Sequence, residues 1–269
     1  MAGRAVSDTW QVGSPYERYI GRWSRQLAPM FLAWLDLPGG QRWVDVGCGT
    51  GALSAAILEH GAPADVVGIE PSEGFMKLAS QELGERVRFL AGSADRLPLE
   101  DACADAVVSG LVLNFLPDLP GALADMQRVA AEEATVAAYV WDYAGRMAVI
   151  RMFWDAASAL DPACAGLHEG VRFPLCGADP LRAAFTAAGL VQVDTTALDL
   201  SASFANFEDY WQPFLGGQGP APAYVATLTE QQVSRLRDRL ASLVEAGPGG
   251  GFSLPARAWA VRGIRRRPH

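Results

Sequence analysis

The sequence predicts an α/β protein built on a mostly parallel sheet with helices on both faces. Short apolar runs alternate with amphipathic stretches five times between Arg42 and Trp141. The first run leads directly into a turn with three glycines in five positions, Gly47 to Gly51, and the first two runs carry an acid at or near their ends, Asp45 and Glu70. Strand and helix units repeated in this way pair in parallel and place their helices over both faces of one sheet.

Each element can be justified in order. Ser14, Pro15 and Glu17 form a capping box with proline at the first helical position, and Tyr16, Tyr19, Ile20, Trp23, Leu27, Met30, Phe31 and Trp34 follow at three- and four-residue spacing. This amphipathic helix ends before Pro38-Gly39-Gly40. Arg42 to Val46 reads as a short buried strand, Ala52 to Glu59 as the helix opening from the glycine turn, and Asp65 to Glu70 as a second strand. Ser72 caps a helix that stops at Gly84, and Val87 to Leu90 is a third strand. A fourth strand starts at Asp105 in "DAVVSGLVL", a helix covers Leu119 to Ala131, and Ala134 to Trp141 is the fifth strand.

Beyond Trp141 the pattern loosens. Tyr143 to Leu160 reads as an apolar helix, followed by a loop with His168, a helix from Asp179 to Gly189 and a sixth strand from Leu190 to Leu200. Leu228 to Glu245 is amphipathic, and a last strand lies in "FSLPARAWAVRGIRR". Because that strand comes after both irregular segments, the sequence is read as one domain over residues 1–269. Residues 1–40 form an N-terminal cap helix, 41–142 a cofactor-binding core, and 143–172 and 203–251 insertions at the sheet's rim.

Composition narrows the partners. The 269 residues carry a formal charge of −8, and the only basic cluster is Arg262, Arg265, Arg266 and Arg267, too short and peripheral to track a phosphate backbone. No nucleic-acid partner is expected, and the acidic balance is read as a solubility charge. Cys48, Cys103, Cys164 and Cys176 form no C-x-x-C pair and the histidines His60, His168 and His269 lie far apart, so neither a metal site nor a disulfide framework is expected. There is no signal-peptide pattern and no run long and apolar enough for a bilayer, which predicts a cytoplasmic protein with no membrane partner.

The glycine turn alone is ambiguous. A P-loop is excluded because no Gly-Lys-Ser/Thr follows. Gly47, Gly49 and Ala52 match the dinucleotide fingerprint in its weaker form, with Glu70 placed to bind ribose hydroxyls. Asp45, two residues before the first glycine, suits an ammonium group better than a pyrophosphate. Asp95, just past the third strand, can accept from an exocyclic amine such as adenine's. The only lysine is Lys77, and Glu73 stands where a Tyr-x-x-x-Lys hydride-transfer pair needs its tyrosine.

With these features together, "VDVGCGTG", "GIEPSEGFM", "GSADRLPL" and "DAVVSGLVLNFLPD" resemble the successive motifs of class I S-adenosylmethionine-dependent methyltransferases, most similar to the small-molecule branch with ubiquinone/menaquinone-biosynthesis-type enzymes. The resemblance covers about Tyr16 to Trp141. It implies a Rossmann-like, doubly wound seven-stranded sheet with an antiparallel last strand. It also implies that Asp45 and the backbone of Gly47, Gly49 and Gly51 hold the methionine end of S-adenosylmethionine, that Glu70 binds both ribose hydroxyls, and that Ala94 and Asp95 recognise adenine. Pro71 and Met76 fall within the acid's motif, Ser109 and Leu111 would flank the methionine portion, and Tyr19 and Trp23 would close over the cofactor. Ala104, and Ala131-Glu132-Glu133 in place of a Pro-Gly-Gly turn, depart from the family pattern at loop positions.

Methyl transfer from a sulfonium needs alignment and exclusion of water, with a base only if the acceptor keeps its proton. Candidates facing the acceptor are Asn114, Trp141, Asp142, Tyr143 and His168, while Trp211 and its aromatic neighbours serve either as a lid or as helix packing. The expected activity is methyl transfer to a small-molecule acceptor, leaving S-adenosylhomocysteine, with a homodimer as the candidate assembly. The alternatives are an NAD(P)-dependent oxidoreductase and a non-catalytic S-adenosylmethionine-binding protein.

Overall fold

A computed structural model of the chain describes residues 21–216 and 219–266. The expected capping box at Ser14 and Glu17, and Tyr19, lie outside the described residues. In chain order the first elements are α1 (Arg22–Leu35), β1 (Arg42–Val46), α2 (Ala52–His60), β2 (Asp65–Glu70), α3 (Glu73–Leu83) and β3 (Arg88–Ala91). Next come β4 (Ala104–Gly110), α4 (Leu119–Val129), β5 (Ala130–Trp141), α5 (Ala148–Leu160), α6 (Glu169–Arg172) and α7 (Ala178–Ala187). The order closes with β6 (Val191–Phe204), α8 (Phe207–Trp211), α9 (Pro220–Val225), α10 (Glu230–Ala241) and β7 (Phe252–Ile264).

The strands form one seven-stranded sheet in the order β3-β2-β1-β4-β5-β7-β6. From β3 through β5 the pairing is parallel, with Val44 opposite both Val67 and Val107. β7 runs antiparallel to β5, from Thr135 opposite Ile264 to Trp141 opposite Ala258. The implied topology is therefore the one observed.

The chain divides into two compact units. One comprises Trp23–Trp141, Leu175–Leu198 and the described part of Ala258–His269. Its core is made by the central strands: Val44, Val46, Val107, Val108, Val136 and Val140 are all buried. These β-branched residues suit a sheet covered on both faces. α1 buries the residues that recur at helical spacing, Trp23, Leu27, Phe31 and Leu35, and the Phe31 and Tyr139 rings lie 4.8 Å apart. α3 begins where Ser72 Oγ accepts the Phe75 N–H and ends at Gly84, whose φ of 60° suits glycine.

The described part of the other unit centres on Asp142–Pro174 and Asp199–Arg257. Its core is aromatic: Phe153 stacks on Phe214 at 4.6 Å, Phe204 on Phe252 at 5.1 Å, and Tyr210 donates its hydroxyl to the Val149 carbonyl at 3.0 Å. Trp211, Tyr210 and Phe214 are buried in this packing.

Several boundaries differ from the sequence reading. β4 stops at Gly110 because Leu111 takes φ +63° and donates its N–H to the Tyr139 carbonyl, so "LVL" leaves the strand. β5 begins at Ala130, and the register shifts between the partners of Ala104 and Ala106. Glu133 has φ +61° in this irregular stretch, a conformation that glycine adopts far more readily than other residues. α5 starts at Ala148 and not at Tyr143, because Asp142 holds the preceding residues in a turn. α9 has no counterpart in the sequence reading. Its two prolines, Pro220 and Pro222, sit in the first turn, where an N–H has no intrahelical partner to lose.

Candidate functional site

The glycine turn joins the carboxyl end of β1 to the start of α2. Its N–H groups at Gly47 and Cys48 both donate to the Ile69 carbonyl, at 2.8 and 3.0 Å, which ties the turn to the end of β2. All three glycines have positive φ: 72° at Gly47, 56° at Gly49 and 90° at Gly51. Two are also required by packing. A Cβ on Gly47 would meet Val112 at 2.7 Å, and one on Gly51 would meet Leu83 at 2.9 Å. Gly49 differs, since a Cβ there would meet nothing nearer than 4.0 Å, so the turn is open at its middle glycine.

Glu70 lies beside that opening. One carboxylate oxygen accepts the Gly49 N–H at 3.0 Å and the other accepts the Ser72 N–H at 2.8 Å. Each oxygen keeps a second lone pair, so the side chain can still receive two hydroxyl groups. The residue is 6% exposed, and burial raises its pKa above the ordinary carboxylate value in spite of those two bonds.

Asp45 is 1% exposed and faces α2, where Ser54 Oγ donates to it at 2.7 Å. Burial, and to a lesser degree the Glu70 charge, pushes its carboxyl up to about 7. A buried acid with a hydroxyl but no cation beside it is half of an ion pair, and an ammonium is its natural complement.

Pro71 is exposed and Met76 half-buried at the start of α3, and Ala94 and Asp95 lie in the turn after β3, where the Ser93 hydroxyl donates to Asp95. Leu111 is buried at the end of β4, and Trp23 is buried on α1. Ser109 is different: it is fully buried and donates its hydroxyl to the Val46 carbonyl at 2.8 Å, so its side chain ties β4 to β1.

Of the acceptor-side candidates, Asn114 and Trp141 belong to the sheet unit. Asn114 sits in the 3-10 turn Leu113–Phe115 after β4, and Trp141 ends β5. Asp142, Tyr143 and His168 belong to the aromatic unit. Asp142 accepts the Gly145 N–H at 3.1 Å and the Arg146 N–H at 2.9 Å, so both carboxylate oxygens hold a turn. Tyr143 is 3% exposed and packs 6.1 Å from the Phe173 ring. His168 caps α6: its Nδ1 accepts the Gly170 N–H at 2.8 Å, which leaves the proton on Nε2 and makes the ring a donor there. Burial lowers its basicity, opposed by the Asp155 charge and aided to a lesser degree by the Arg151 charge.

The sequence reading missed Glu169, which is 2% exposed and accepts the Trp154 indole N–H inside the aromatic unit. Only its position next to His168 could have drawn notice. Among the described residues no group of three or more His, Cys, Asp or Glu is placed to hold a metal ion, and no helix is long and apolar enough to cross a membrane.

A parallel α/β sheet with a glycine turn after β1, an acid ending β2 and an antiparallel β7 defines the class of Rossmann-like, nucleotide-cofactor proteins. Residues 44–138 match the methyltransferase domain family. The malonyl-[acyl-carrier protein] O-methyltransferase of Serratia marcescens is 36% identical over 90 residues, 34% of this chain and 34% of that protein. The demethylmenaquinone methyltransferase of Lactiplantibacillus plantarum is 35% identical over 104 residues, 36% of this chain and 44% of that protein. The chain thus spans less than half the length of the curated relatives it matches. A solved structure from Anabaena variabilis, described as a putative methyltransferase from an antibiotic biosynthesis pathway, shares the fold with a TM-score of 0.60 at 20% identity, covering 87% of this chain and 96% of that one. The oxidoreductase alternative has no support in these likenesses.

Proposed function

We propose that the chain binds S-adenosylmethionine at the carboxyl edge of β1, β2 and β3 and transfers its methyl to a small-molecule acceptor, leaving S-adenosylhomocysteine. The observation that carries this reading is Glu70, oriented by the Gly49 and Ser72 N–H groups beside the one open glycine of the turn. Glu70 receives the ribose hydroxyls, Asp45 the ammonium, and the loop with Ala94 and Asp95 the adenine. Bound S-adenosylmethionine supplies an already activated methyl group, so the protein's work is to align the acceptor and exclude water.

The matched relatives are named for a malonyl-[acyl-carrier protein] and for demethylmenaquinone, which makes oxygen-rich small molecules the first acceptors to try. Residues 1–269 are taken as one methyltransferase domain, with 1–40, 143–172 and 203–251 as its cap. Cys48, Cys103 and Cys164 are free thiols, which suits a reducing cytoplasm. A homodimer remains the assembly to look for by light scattering, and no nucleic-acid partner is proposed.

Titration calorimetry with S-adenosylhomocysteine tests the reading. Glu70→Ala is expected to weaken binding by about 1 to 3 kcal/mol, the scale of hydrogen bonds to a charged group. Unchanged affinity, or tight NAD binding with no response to S-adenosylhomocysteine, would overturn it. Methyl transfer to a member of a metabolite panel then separates an enzyme from a binding module.

A further inference from the structure

We propose that the indole N–H of Trp141 and the side-chain amide of Asn114 are hydrogen-bond donors to the methyl acceptor, and that the acceptor is a delocalised oxyanion, an enolate or phenolate. This rests on the methyltransferase reading above and names its substrate class.

Trp141 is 1% exposed, and neither its Nε1 nor Asn114 Nδ2 has a hydrogen-bond partner among the described residues, although both atoms are cut off from solvent. More than nine in ten buried polar groups are paired, and leaving one unpaired costs about 1 to 3 kcal/mol. Here two orphaned donors occur at the ends of neighbouring strands. β4 and β5 are paired up to Gly110 opposite Tyr139, the Leu111 N–H donates to the Tyr139 carbonyl at 2.8 Å, and the 3-10 turn that carries Asn114 packs on β5. Trp141 lies two residues beyond Tyr139, on the same face of the strand. Both donors therefore stand at the carboxyl edge, the edge that also holds the glycine turn and Glu70. Trp43 Nε1 is likewise unpaired, but it sits near the amino end of β1, away from this edge.

The acids and bases expected on the acceptor side have other work. Asp142 spends both oxygens on backbone N–H groups, and His168 accepts from Gly170 through Nδ1. What the edge offers instead is a pair of neutral donors. Donors aimed at an oxygen favour its charged form, so they lower the pKa of an enol or phenol and make the nucleophile without a base. In the transfer step the anion's electron pair forms the new bond to the methyl carbon. The bond from sulfur to that methyl breaks with its pair passing to sulfur, and no proton leaves.

The test uses isotope-labelled full-length protein saturated with S-adenosylhomocysteine, with the indole resonance assigned through Trp141→Phe. Lawsone, a hydroxynaphthoquinone that is an enolate at neutral pH, is titrated in, with naphthylamine as the oxygen-free control. The expected result is a downfield shift of the Trp141 indole proton and the Asn114 amide protons with lawsone and none with naphthylamine. Trp141→Phe and Asn114→Ala should each weaken lawsone about tenfold or more while leaving S-adenosylhomocysteine affinity unchanged. The inference is overturned if lawsone fails to bind, if it binds without moving either resonance, or if both variants hold it as well as the parent. It is also overturned if S-adenosylhomocysteine alone moves the indole proton, because the donors then serve the cofactor. Failure of S-adenosylhomocysteine to bind at all would overturn the methyltransferase reading itself, and this inference with it.

Discussion

Asp45→Asn should make the ligand-free protein more stable while making it bind its cofactor less well. The parent carboxyl is fully buried, with the Ser54 hydroxyl as its hydrogen-bond donor, and burial holds it at about 7 against an ordinary 3.8. Between those two pH values the folded state binds a proton that the unfolded chain has released, so stability falls as pH rises through that window. At about 1.4 kcal/mol per pH unit, the loss reaches about 4 kcal/mol once pH passes 7, which is an upper figure for a site that can relax. Asparagine keeps an oxygen for Ser54 and never ionises. The stability difference between variant and parent should therefore grow from about pH 4 to about pH 7 and then level off. Urea midpoints measured across that range read the difference, and calorimetry with S-adenosylhomocysteine reads the cost, expected to be about tenfold or more in affinity. A difference that stays flat with pH would refute the reasoning about the buried charge. A variant that binds as well as the parent would refute the placement of the ammonium.

Two further outcomes follow from the backbone and from His168. Glu133→Gly should raise the urea midpoint by up to about 1 kcal/mol in stability, because Glu133 occupies φ +61°, where a side chain is strained and glycine is not. A loss of stability would mean that its side chain makes compensating contacts. His168 is held neutral by burial and by its bond from Gly170, so its contribution is present above the ordinary value of 6.5 and is lost as pH falls below it. His168→Asn, which can still accept the Gly170 N–H, should flatten that acid limb without changing the pH profile of methyl transfer. A shifted activity profile would show that the imidazole handles a proton in the reaction.

Much of the cofactor half was legible because its signals are local. The Gly47 to Gly51 turn, the Ser72 cap and the Gly84 stop depend on residues a few positions apart, and the structure keeps each of them. The early start of β5 was not legible, because the positive φ falls on Glu133, a residue type that carries no turn signal. Nor was the turn before α5, which depends on Asp142 spending its carboxylate on backbone N–H groups. The bond from the Ser109 hydroxyl to the Val46 carbonyl was not legible either, because it depends on the pairing of β4 with β1. The place of Trp141 after the fifth strand puts it on the acceptor side in sequence, but only a full account of hydrogen bonds shows that its indole N–H has no partner among the described residues.

The sheet order also bears on how the chain is made. β7 lies between β5 and β6, although more than a hundred residues separate β5 from β7 in the chain. During synthesis the β1 to β5 part can assemble as it emerges, but until Phe252–Ile264 has been translated β5 has an open edge and β6 has no neighbour. A ribosome stalled between Val191 and Phe252 would therefore hold a nascent chain with an unpaired row of backbone donors and acceptors beside the apolar run Val136 to Trp141. Such an intermediate is one that a strand-capping chaperone would recognise.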